Sequence, residues 1–226
     1  MKLKQTIVMF AALALALPLA AQMGMGPRTP SLSGIWHPVV GTGAAYEVTN
    51  RDGTKSQIEI TTVGKEDVGG KPAFWTEMGF SDRRTGGQMY AKNLMSVSDT
   101  GVTSTRMIMQ MPGQAPMEMD ANMAPGGRGQ QTTPANIADK AEIVGTESVT
   151  VPAGTFSCTH YHMKDGSGDA WVSDKVAPWG LVKSVGKDNS MVLTKVITDA
   201  TDHITGTPVK FDPMQMMRGR QGQPPQ

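Results

Sequence analysis

Cys158, His160 and His162 bring one thiol and two imidazoles together at a spacing of two. On an extended strand that spacing puts all three side chains on one face. With a fourth ligand from a neighbouring segment, such a set could hold zinc or copper. The distance argues against it. At the usual rise the set spans about 13 Å end to end, too far for a single ion unless the strand bends. A simpler reading turns Phe156 and Cys158 toward the core and lets His160 and His162 emerge at the rim or into solvent. No metal and no cofactor are assigned. Asp165 and Asp169, flanking a glycine-rich turn, read as hairpin residues rather than calcium ligands.

Methionine is the second chemically suggestive residue. The chain has 18, of which Met1 and Met9 belong to an N-terminal leader. Met107, Met109 and Met111 share one face of a strand, and Met78, Met89 and Met95 fall on neighbouring strand-like runs. These six are the candidate ligand-binding residues. Flexible, polarisable thioethers suit an adaptable cavity for an apolar or lipid-like ligand. Thioethers are also soft ligands for copper(I), and Met117, Met119, Met123, Met214, Met216 and Met217 extend the supply into a loop and the tail. A methionine-rich periplasmic copper(I)-binding protein is therefore the alternative. The third reading is that methionine fills a core in which aromatics are only 5% of residues.

Catalytic motifs are missing. The sequence holds no G-x-S-x-G, H-E-x-x-H, C-x-x-C or phosphate-binding G-x-x-x-x-G-K-[ST]. The expectation is a non-enzymatic protein.

Lys2 and Lys4 precede an apolar run from Ile7 to Leu17, and Pro18-Leu19-Ala20-Ala21-Gln22 offers small residues for cleavage. Residues 1–21 thus read as a signal peptide, whose apolar run ends at Pro18 and is too short to span a bilayer, which takes about 20 apolar residues. With no cysteine after it, a lipid anchor is not expected, and the product should be periplasmic or secreted. Removing the leader takes Lys+Arg from 21 to 19 against 20 Asp+Glu, a formal charge of −1. That balance gives no electrostatic case for nucleic acid or an anionic membrane as partner. A single cysteine cannot form an internal disulfide, so stability must come from packing.

The elements that would position these residues are strands. Short alternating runs are punctuated by turn signals, as in an antiparallel β-protein. Ile58 and Ile60 alternate with Glu59 and Thr61, and Phe74, Met78 and Phe80 share a face. Strands are expected over 43–50, 56–63, 71–80, 87–97, 102–111, 146–151, 156–164, 169–173, 181–186 and 191–199. A three-residue loop ending at Gly101 would pair Met95 with Thr105 and Met89 with Met111. Residues 22–40 read as an extended arm, 41–205 as one β-domain with a long flexible loop at 112–134, and 206–226 as a disordered tail. Thr133-Pro134 looks like the start of a short helix running to about Glu142.

Val151-Pro152-Ala153-Gly154-Thr155-Phe156, Trp171-Val172-Ser173 and Gly180-Leu181-Val182-Lys183 together are similar to exported bacterial proteins of unknown function that resemble the LolA/LolB lipoprotein-carrier superfamily. The resemblance covers roughly residues 140–200. It implies a mainly β fold, a strongly curved antiparallel sheet or incompletely closed barrel with one short helix near its mouth. None of the matching residues is reactive. The motif speaks for a fold, with ligand binding in the concave face as the working function.

Overall fold

The structure, a computed structural model, describes residues 36–81, 87–98, 101–120 and 140–211. Twelve strands follow one another: β1 Thr42–Asn50, β2 Lys55–Val68, β3 Lys71–Ser81, β4 Gln88–Ser98, β5 Gly101–Gln110, β6 Met117–Asp120, β7 Ala141–Val151, β8 Gly154–Met163, β9 Gly168–Val172, β10 Leu181–Gly186, β11 Asn189–Ile197 and β12 Val209–Lys210. They form one open sheet in the order β12-β6-β5-β4-β3-β2-β1-β11-β10-β9-β8-β7. Every pairing is antiparallel except that of β12 with β6. Short turns make these neighbours. Between β1 and β2, Gly53 takes φ +78°, its N–H reaches Asn50 O, and Asp52 Oδ1 accepts from the Thr54 N–H at 2.9 Å.

The two faces of the sheet bury different cores. Ala44, Tyr46 and Val48 of β1 join Ile58 and Ile60 of β2 and Met191 and Leu193 of β11 in the main cluster. Val149 and Val151 of β7 pack into the same cluster, and β7 comes back against β10 and β11. This face is therefore the inside of a tightly curled sheet. The Tyr46 hydroxyl donates to Leu181 O at 3.0 Å across that interior, and burial raises the tyrosine pKa.

On the opposite face of β3–β5, Ala73, Trp75, Leu94 and Ile108 pack with Ile204 from the segment after β11. Burying an isoleucine of this kind stabilises by about 1.5–3 kcal/mol. Polar contacts hold the same segment down. Glu77 accepts from His203 Nδ1 at 2.7 Å, Lys92 pairs with Asp202, and Tyr90 stacks on the His203 ring at 4.6 Å. The chain then reaches β12 beside β6.

Several expectations change. No helix occurs among the described residues, and Ala141 and Glu142, expected to end one, begin β7. Within the expected loop, Met117–Asp120 is a strand paired with β5, and within the expected tail Val209–Lys210 pairs with β6. The last part of the expected arm packs at Trp36, whose ring meets Phe74 edge-on at 5.8 Å and Trp179 at 6.0 Å. The β4–β5 connection is shorter than expected, Ser98 pairing with Gly101, which sets Met95 opposite Ser104 rather than Thr105; a bulge between Leu94 and Met95 then shifts the register by one, to Leu94 opposite Arg106. The expected signal peptide, the rest of the expected arm, residues 121–134 of the expected loop, residues 134–139 of the expected helix, the expected tail beyond 211 and Met123, Met214, Met216 and Met217 lie outside the described residues.

Candidate functional site

Strand register gathers the methionines. Tyr46 sits opposite Ile58, Ile58 opposite Phe80, and Phe80 opposite Met89, so the inner face continues from β1 to β4. On it Met78 faces Ile60 and Ala91, and Met95 faces Phe74. Ala91 pairs with Met109 and Asn93 with Met107. Met109 and Met107 then pair with Met117 and Met119 of β6. Met78, Met89, Met95, Met107, Met109 and Met117 are all partly buried, and Met119 is buried at 6% exposure. Met111 follows the end of β5, also partly buried. Five of the six sequence candidates thus share one concave face, with Phe74 and Phe80 among them. Met117 and Met119, which the sequence placed in a loop, belong to the same patch. Their alternation with Glu118 and Asp120 was the available signal.

The cysteine–histidine set resolves differently. Cys158 is fully buried in the main cluster, its thiol against Phe156 O at 3.6 Å. Burial, and secondarily the charge of Glu147, push the thiol up to about 11, so it is not a ready thiolate ligand. His160 and His162 turn instead to Asp169, whose Oδ1 lies 2.9 Å from His160 Nε2 and 3.0 Å from His162 Nδ1. His160 Nδ1 is 3.2 Å from Glu147 Oε1, an oxygen that also accepts from Trp171 Nε1. The His160 ring stacks on Trp171 at 4.4 Å, and Lys183 Nζ lies 4.7 Å from the Trp171 ring centre. Burial pushes the Asp169 carboxyl up, but the hydrogen bonds from His162 and His160 outweigh it and leave the group below its ordinary value. Among the described residues no group of three or more His, Cys, Asp or Glu is arranged to hold a metal ion. The cluster ties β7, β8, β9 and β10 together. Asp169 was legible only as a turn residue, because its pairing with His162 depends on the β8–β9 register.

A cleft of about 580 Å³ opens at the same end of the sheet, between Trp36, β8 and the turn after β9. Trp36 and Ser173, both on its wall, were not singled out in the sequence as functional side chains.

No protein-family model and no curated protein matches the chain. Among solved structures, the chain is similar to a "putative lipoprotein" from Parabacteroides distasonis at 14% identity and TM-score 0.37, covering 73% of this chain and 98% of that one. It is also similar to a "putative exported protein with YmcC-like fold" from Bacteroides fragilis at 14% identity and TM-score 0.35, covering 71% and 98%. At these scores the likeness assigns no activity. No helix among the described residues is long and apolar enough to cross a membrane.

Proposed function

We propose that the protein is an exported, non-enzymatic binding protein whose methionine-bearing concave face takes an apolar or amphipathic ligand. Export rests on the charged, apolar and small-residue pattern of residues 1–21. The observation that carries the binding reading is the alignment of methionines from four adjacent strands on one partly open face. An unbranched thioether adapts to chains of different shape, whereas branched residues would fix one shape. The partial exposure of Met78, Met89, Met95, Met107 and Met109 leaves apolar surface that an occupant would remove from water.

One observation keeps copper(I) as a second reading. The cross-strand pairs Met107–Met119 and Met109–Met117 place four thioethers side by side, and opposed residues on antiparallel strands have Cβ atoms about 4.5–5.5 Å apart. Soft sulfur ligands of that kind select copper(I).

Native mass spectrometry of the protein purified from the exported fraction separates the readings. Added masses of apolar molecules, lost on organic extraction, support the first. A single added copper and no organic adduct would replace it with the second.

A further inference from the structure

One indole connects the methionine face with the cleft. The Trp36 ring meets Phe74 edge-on at 5.8 Å and tilts against Trp179 at 6.0 Å. Phe74 belongs to the inner face and sits opposite Met95, so the ring lies at the Met95 end of the methionine patch. The same tryptophan forms part of the wall of the cleft, together with Tyr161 of β8 and Val172 of β9. Trp36 reaches this place from the segment ahead of β1, which His37 N ties to the loop between β9 and β10 by donating to Pro178 O at 2.9 Å. No strand pairing depends on its side chain.

The space on the cleft side is large enough to hold more of a ligand. Its volume of about 580 Å³ falls within the roughly 300–1,000 Å³ usual for small-molecule sites. Tyr161 and Val172 give part of its wall an apolar character. Thr146 and Ser157 also line it, but both are exposed, so a chain end that settled on Tyr161 and Val172 need not strip their hydroxyls of water.

On the other side, a chain lying along the methionines meets the Phe74–Trp36 pair at one end. Methionine side chains yield to an occupant through three rotatable bonds. An indole packed against two aromatic rings and only 9% exposed does not yield in that way. We infer that Trp36 sets the length of chain the methionine face accepts, closing the cleft to the chain end while the indole is in place. The inference rests on the ligand-binding reading of that face and adds the residue that limits it.

The test is displacement of an apolar naphthylamine fluorophore by straight-chain primary alcohols of increasing length. In the parent protein affinity should rise by about fourfold per added methylene, the effect of burying one such group, and then level off at a break length. Trp36→Leu should move the break to longer chains, and Trp36→Phe, a smaller truncation that keeps an aromatic ring against Phe74 and Trp179, should move it less in the same direction. Adding Thr159→Phe to Trp36→Leu refills the cleft from β8 and should bring the break back. Met107→Gln/Met109→Gln should weaken every chain length and leave the break where it is. The same break in the parent and in both folded Trp36 variants, or a shift that Thr159→Phe does not reverse, overturns the inference and leaves the methionine face as a binding site. Absence of fluorophore and alcohol binding in the parent overturns both.

Discussion

Met107 of β5 lies directly opposite Met119 of β6, across a strand pair joined through residues that read as a loop. The pairing places a buried side chain against a partly buried one at the end of the methionine face. Met119→Ala should therefore cost about 2–5 kcal/mol of stability, as for other buried methionine truncations. Urea unfolding of this variant beside Met107→Ala checks it. Met107→Ala should cost less, because its side chain is already partly in water.

Glu77 gives the outer face a pH signature. Burial raises its carboxyl above the ordinary value of 4.5, partly offset by hydrogen bonds from His203. The folded state then holds the Glu77 proton more tightly than the unfolded chain. Its contribution is full below the ordinary value and is lost as pH rises through the folded one. Unfolding free energies of the parent protein should fall relative to Glu77→Gln as pH rises above 4.5. A constant difference across that window would remove Glu77 as the source.

Asp169 has the opposite sign. Its carboxyl sits below the ordinary 3.8, so its contribution is present above 3.8 and lost as pH falls through the folded value. Asp169→Asn should remove that component of acid sensitivity and loosen both imidazoles. Histidine C–H shifts in a proton NMR titration would report it for His160 and His162 separately.

Gly168 begins β9 at φ +150°, and a Cβ built there would fall 2.1 Å from Val185 O. Gly168→Ala should destabilise the β9–β10 hairpin by at least about 1–3 kcal/mol through backbone strain. Increased amide exchange confined to β9 and β10 is the expected pattern.

Ten of the twelve strands could be read from the sequence, because alternation such as Ile58/Glu59/Ile60 and turns such as Asp52-Gly53 are local signals. β6 and β12 could not be, although Met117 and Met119 alternate with Glu118 and Asp120. Their pairing joins segments about ninety residues apart, and prolines and glycines surround both. The face shared by Met107 and Met109 was legible from spacing alone. Its continuity with Met78 and Met89 required register, which bulges reset at Thr62/Gly64 and Leu94/Met95. The His160–Asp169–His162 contact and the docking of Trp36 were hidden for the same reason: each joins residues that only the folded sheet brings together.

Binding of an apolar naphthylamine fluorophore tests the central claim most directly, comparing the parent protein with Met107→Gln/Met109→Gln. The amides would place polar groups on the inner face with no partner, at about 1–3 kcal/mol each when an apolar ligand covers them. Probe affinity should drop by at least tenfold in the double variant while far-ultraviolet circular dichroism stays unchanged. Probe binding of equal affinity in the two folded proteins, or none in the parent, would contradict a ligand-binding methionine face.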